Sequence, residues 1–171
     1  GETDPTNSYE ELLQKETTTA HTENVTSEDI LSVMYTSGTT GQPKAVPIDN
    51  FNGVNAALNN ARVHNLEDEI RILVPSPLFH VTGLVCGLLT AIAVNGTAVI
   101  LREYDPDQFL QSVESESINY CMGVPTHLVL AAEKVTDSKY DTSSFKKFAY
   151  GGAPMPSEAV PKIREVFPDI E

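Results

Sequence analysis

The stretch TAVILREYDPDQFLQSVESESINYCMGV, residues 97–124, reads as a strand, a helix and a second strand in immediate succession. TAVILRE is a short apolar run of strand length. Asp105 then stands before Pro106, a side-chain cap followed by proline at the first helical position, where the missing N–H has no intrahelical partner to lose. Phe109, Leu110 and Val113 recur at helical spacing and face inward. INYCMGV is a second apolar run, closed near Gly123.

The same alternation extends outward in both directions. ILSVMYT, IRILVPS and FKKFAYG are further strand-length runs ended by Gly, Pro or Ser. Phe51, Val54, Leu58 and Ala61 line one helical face behind a capping Asp49 or Asn50, and Val160, Ile163 and Phe167 do the same near the end. Strands alternating with helices predict an α/β fold, a mostly parallel sheet flanked by helices on both faces, over residues 29–171. Residues 1–28 are polar, acidic and threonine-rich, and read as a tail or linker with one short helix at SYEELLQ.

Composition narrows the function classes. The chain has 171 residues, 40% of them hydrophobic, enough for one domain with a core and without any run long enough to span a membrane. It shows no basic-then-apolar leader, and Cys86 and Cys121 lack metal-ligand spacing. Both cysteines read as small buried hydrophobes of a reduced, cytoplasmic protein. A net charge of −13, from 24 acidic and 11 basic residues, argues against a nucleic-acid partner.

Ligands of parallel sheets bind beyond the carboxyl ends of the strands. Three unusual segments fall there: residues 36–44, 75–83 and 151–154. The first belongs to YTSGTTGQPKAV, residues 35–46. Its glycines permit close backbone approach, so that successive N–H groups can converge on an anion. Hydroxyls of Thr36, Ser37, Thr39 and Thr40 add donors, and Lys44 adds a mobile positive charge. Together they suit a polyphosphate. The segment is not a Walker A loop, because Gln42 and Pro43 separate Gly41 from Lys44 and Ala45 follows. Nor is Ser37 a nucleophile elbow, since the flanking glycines of that motif are absent.

YTSGTTGQPKAV resembles the phosphate-binding signature of the adenylate-forming superfamily, which includes acyl- and aryl-CoA synthetases, luciferase-like enzymes and peptide-synthetase adenylation domains. PSPLFHVTG (residues 75–83) is similar to that family's aromatic-histidine segment, and YGGAPMP (residues 150–156) to its glycine-rich turn. One departure is Ala45, where the family usually has glycine. The resemblance implies activation of a fatty or aromatic carboxylic acid by Mg-ATP, giving an acyl-adenylate, then transfer to coenzyme A or a carrier-protein thiol. It assigns Thr36, Ser37, Gly38, Thr39, Thr40, Gly41 and Lys44 to the phosphates, with Thr36 also near magnesium. It places Gly152, Ala153 and Pro154 at the nucleotide, and Phe79, His80, Gly83 and Gly151 at the acid. Lys44 and His80 are the expected catalytic residues.

The family's later motifs are not found in these residues: an aromatic-Gly-x-Thr-Glu segment, a ribose-binding aspartate and a C-terminal lysine. The chain is therefore expected to be a fragment of the N-terminal domain and inactive alone. Two other readings are a non-catalytic nucleotide- or acyl-binding module, and a serine hydrolase pairing Ser37 or Ser76 with His80. His21, His64 and His127 carry no assigned role, although His127 follows GVPT, a segment near the acyl pocket in similar enzymes. Ser157 is expected to cap the helix that follows the glycine-rich turn.

Overall fold

A computed structural model describes residues 24–38, 41–67, 69–135 and 140–171. Most of the expected tail, with its helix at SYEELLQ, lies outside the described residues, as do His21, Thr39 and Thr40. Four strands form one parallel sheet: β3 (Arg71–Val74), β4 (Thr97–Ile100), β5 (Tyr120–Gly123) and β6 (Lys147–Tyr150). Their order across the sheet is β4-β3-β5-β6, with every pair parallel.

These strands are short and apolar because both faces are covered, which leaves no polar side to alternate with. Leu73 and Cys121 join one core with Phe109, Leu110, Val113, Leu128 and Ile163, contributed by helices α3 (Pro106–Ser115), α4 (Pro125–Lys134) and α5 (Val160–Val166). Ile72, Val74 and Tyr120, one residue out of phase, join a second core under Ala61 of α1 (Asn50–Val63) and Ala91 of α2 (Thr90–Ala93). Phe145 knits the first core, with ring centroids 5.8 Å from Phe109 and 5.4 Å from Phe167, both edge-on. Glu171 already pairs with β6: its N–H donates to the Lys146 carbonyl and its carbonyl accepts from Phe148 N–H.

The predicted cap at Asp105 is present, its carboxylate accepting from Gln108 N–H at 2.9 Å. Asp49, rather than Asn50, caps α1, accepting from Asn52 N–H at 2.6 Å. Three expectations need correction. The ILSVMYT run forms β1 (Ile30–Thr36) but stays out of the parallel sheet, pairing antiparallel with β2 (Lys44–Asp49). The connection between them is too short for the crossover that parallel strands need. The α1 face turned inward is Gly53, Ala57 and Ala61, while Phe51 and Val54 are exposed. Small residues win there because the β1–β2 hairpin comes very close: a Cβ on Gly53 would lie 2.4 Å from Leu31 Cδ2. Ser157 does not cap α5, whose N-cap position is Ala159, without a side-chain cap.

The apolar run TGLVCGLLTAIA has no polar face from which to read a period. It forms a π-helical stretch, Thr82–Leu89, that runs into α2. Thr90, fully buried, donates its hydroxyl to the Val85 carbonyl at 3.0 Å and so satisfies the widened turn. Among the described residues no helix is long and apolar enough to cross a membrane.

Candidate active site

The strand order places β4 on one side of β3 and β5 on the other, so the chain reverses direction across the sheet between β3 and β5. A crevice must open beyond their carboxyl ends, where the connections diverge. It does: a cleft of about 270 Å³ is lined by Ser76, Pro77, Phe79, His80 and Thr82 after β3, and by Val124 and His127 after β5.

His80 stands at the mouth of this cleft. Thr82 N–H donates to its Nδ1 at 3.2 Å, and the Thr82 hydroxyl lies 3.1 Å from the same nitrogen. An Nδ1 that accepts has its proton on Nε2, which leaves Nε2–H to donate outward. Phe79 beside it is 83% exposed and presents a large apolar surface. Gly83 is buried, and the close approach demands it: a Cβ would lie 2.3 Å from the Pro77 carbonyl oxygen and 2.5 Å from that of Ser76. Among the described residues no hydrogen bond joins Ser37 or Ser76 to His80, whose Nδ1 is taken by Thr82.

The glycine-rich turn lies next along the sheet edge. Gly151 N–H donates to the Gly123 carbonyl at 3.2 Å, tying the end of β6 to the end of β5. Gly152 has φ +82°, a conformation that favours glycine. Residues 151–154 are exposed, and a Cβ on Gly151 would meet nothing within 4 Å. The turn therefore presents open backbone beside the cleft.

The residues expected to bind phosphate sit elsewhere. Thr36 ends β1 and pairs with Lys44 at the start of β2, so the hairpin turns between them. Gly38 at φ +62° and Gly41 at φ +80° supply the left-handed conformations of that turn. A Cβ on Gly38 would fall 2.3 Å from the Gln42 carbonyl oxygen. Lys44 and Ser37 are exposed. The structure thus brings Thr36, Gly38 and Lys44 together, and brings Phe79, His80 and Gly83 together beside the 151–154 turn. It shows no hydrogen bond between the two groups among the described residues.

His127 is the site residue that sequence reasoning left without a role. Its Nδ1 accepts from Val124 N–H at 3.4 Å, taking the place that Glu or Gln holds in a capping box. Burial holds its pKa below the ordinary histidine value. The signal for it was local: Pro125 begins a helix, which makes residue 127 its third position. Both thiols are pushed up by burial, Cys121 most strongly, so neither is a ready nucleophile.

The AMP-binding enzyme family matches residues 2–171. The chain belongs to that family. It is 33% identical over 159 residues to YngI of Bacillus subtilis (strain 168), which carries an acyl-CoA synthetase name, covering 91% of this chain and 29% of YngI. It is 33% identical to a feruloyl-CoA synthase of an Amycolatopsis species, covering 77% of this chain and 27% of that protein. Among solved structures, the N-terminal domain of FACL13 from Mycobacterium tuberculosis matches with TM-score 0.80 and 26% identity, over 95% of this chain and 40% of that one. An o-succinylbenzoate CoA synthetase from Bacillus subtilis, solved with ATP and magnesium, matches with TM-score 0.78 and 26% identity, over 91% of this chain and 32% of that one. The chain thus spans under a third of the curated relatives named here.

Proposed function

We propose that this chain is part of an acid–thiol ligase that activates a carboxylic acid with Mg-ATP and passes the acyl group to a thiol. The observation that carries the reading is the His80 cleft at the β3–β5 crevice, with an outward Nε2–H on a chain of the AMP-binding family. In the first half-reaction a carboxylate oxygen attacks the α-phosphorus of ATP, and the bond to the bridging oxygen breaks to release pyrophosphate. Nε2–H of His80 would hold the attacking carboxylate in line, converting an encounter into a positioned reaction. Phe79 and Gly83 would shape the acid's side of the cleft. Gly151, Gly152, Ala153 and Pro154 would offer backbone to the acid and the adenine.

Charge develops on the departing pyrophosphate, and the hairpin loop is built to meet it. Its left-handed glycines, Gly38 and Gly41, would let backbone N–H groups turn toward the phosphates, and Lys44, exposed at the start of β2, would bring a positive charge to the β- and γ-phosphates. Thr36, Ser37, Thr39 and Thr40 would add hydroxyl donors. Among the described residues no cluster of three or more acidic, His or Cys side chains could hold a metal, so Thr36 would give magnesium a single hydroxyl, the rest coming from phosphates and water. Bound magnesium would neutralise phosphate charge. In the second half-reaction a thiolate sulfur attacks the acyl carbonyl and AMP leaves. Coenzyme A is the proposed acceptor, with a carrier-protein thiol as the alternative.

The names of the relatives support aromatic and fatty acids as the substrate class, and the setting proposed for the protein is cytoplasmic. The test is ATP–pyrophosphate exchange by the full-length protein across a panel of carboxylic acids. Exchange that depends on one class of acid is the expected result. In His80→Ala, exchange should fall while ATP affinity is kept, and a variant that loses ATP affinity at unchanged rate would contradict the role given to His80. The 171 residues alone should show no useful exchange, and robust exchange by them would mean that the catalytic groups lie elsewhere.

A further inference from the structure

We propose that His127 is a specificity-determining residue of the acid cleft, its Nε2–H bonding an oxygen on the body of the acid so that oxygenated acids outcompete their plain hydrocarbon analogues. The inference rests on the acid-activating reading above.

The ring of His127 is fixed from several directions. Nδ1 accepts from Val124 N–H at 3.4 Å, the first residue before helix α4. The bare backbone of Gly123 makes room for the ring: a Cβ there would lie 2.5 Å from Nδ1. Tyr104 stacks on the ring with centroids 4.5 Å apart and planes 28° apart. The Tyr104 hydroxyl in turn donates to the carbonyl of His127 itself, which holds the stacking partner to the same residue. A ring held this way has one tautomer and one orientation.

With Nδ1 occupied as an acceptor, the proton resides on Nε2. Partial burial opposes protonation of the ring, so the neutral donor persists near neutral pH. Among the described residues no hydrogen bond occupies Nε2. His127 lines the same cleft of about 270 Å³ as His80, Ser76 and Thr82. His80 is exposed at the mouth, while His127 is half-buried on the β5 side. Two imidazole donors at different depths suit two oxygens of one ligand. His80 would take the carboxylate, and His127 an oxygen carried further along. A hydrocarbon body would fill the cleft and leave the inner donor dry and unpaired, and a site built around a hydrogen bond rejects the analogue that lacks it.

The test uses the full-length protein, with pyrophosphate exchange measured on two acid pairs: para-hydroxyphenylpropanoic against phenylpropanoic acid, and ω-hydroxydecanoic against decanoic acid. The wild type should prefer the oxygenated member of at least one pair, and His127→Leu should reduce that preference about tenfold in kcat/KM. The KM for ATP should stay unchanged. His127→Gln keeps an acceptor for Val124 N–H and an N–H donor, and should restore much of the preference. Should the Leu variant fail to fold, His127→Met against His127→Gln makes the same comparison. Robust exchange with no preference in the wild type, or with both members lowered alike in the apolar variants, overturns the assignment of His127 and leaves the activity standing. Absence of exchange with every acid overturns the activity itself, and the assignment with it.

Discussion

The cleft beyond β3 and β5 and the loop between β1 and β2 are built by opposite means. The cleft sits on strands whose residues are almost wholly buried, with Ile72, Leu73, Tyr120 and Cys121 at 0% exposure. Its histidines are held by neighbouring backbone N–H groups. The hairpin is a two-stranded ribbon, and Val33, Tyr35 and Val46 on it are 48%, 71% and 43% exposed. Its rigidity comes from its own ladder and from one edge against α1, through Leu31 and Gly53. The difference matches the tasks proposed for them. Orienting a carboxylate needs fixed donors, whereas gripping a flexible polyphosphate needs accessible N–H groups and a reachable cation.

The comparison breaks most visibly in stability. Phe145→Ala removes a buried ring that packs edge-on against Phe109, Phe148 and Phe167, and should cost about 3–5 kcal/mol in urea unfolding of the chain. Tyr35→Ala, on the exposed hairpin, should stay within about 0.5 kcal/mol. Comparable losses at the two positions would mean that the hairpin carries a core of its own.

Activity should reverse that ranking. Lys44→Ala touches no core, yet it removes the one cation of the hairpin loop and should lose about 2–4 kcal/mol of transition-state stabilisation in adenylate formation. Single-turnover assays of the full-length protein would measure it, with acid affinity expected to hold. An unchanged rate would remove Lys44 from the chemistry.

Gly83 and Gly151 sharpen the comparison within the cleft itself. Gly83→Ala drives a methyl group into the carbonyls of Ser76 and Pro77 and should destabilise by about 1–3 kcal/mol while displacing His80. Gly151→Ala meets open space and should be neutral in stability. Thermal melts of the two variants would check the pair, and equal effects would contradict the close packing at Gly83.

Legibility in the sequence followed the same division. The 97–124 unit was readable because each of its signals is local: a cap, a proline, a 3.6-residue period and two apolar runs. The candidate site segments stood out because glycine, proline and histidine lie at strand ends. β2 was not, since KAVPID carries a lysine, a proline and an aspartate, and it is a strand through its pairing with β1. The buried face of α1 was misread because Phe51 and Val54 dominate any hydrophobic count, while the packing distance to Leu31 selects Gly53 and Ala57. His127 escaped because the role proposed for it depends on Tyr104 and Gly123, which are brought to it by the fold.

The smallest expected effect is a pH dependence confined to the sheet region. His64 and His127 both titrate below the ordinary value, His64 through burial and then the nearby Lys147 charge, His127 through burial. Between about pH 6.5, where an unfolded histidine titrates, and the lower native values, the unfolded chain binds more protons than the folded one. Stability is therefore complete above that window and declines as pH falls through it. The hairpin contains no histidine, so this loss reports on the sheet alone. Urea midpoints taken from about pH 7.5 down to about pH 5.5 should fall only in the lower half of the range, by a small amount because both rings are partly solvated. His127→Gln should remove part of the decline, since glutamine keeps the contact with Val124 N–H and cannot titrate. A midpoint that rises on acidification in this range would contradict the burial assigned to both rings.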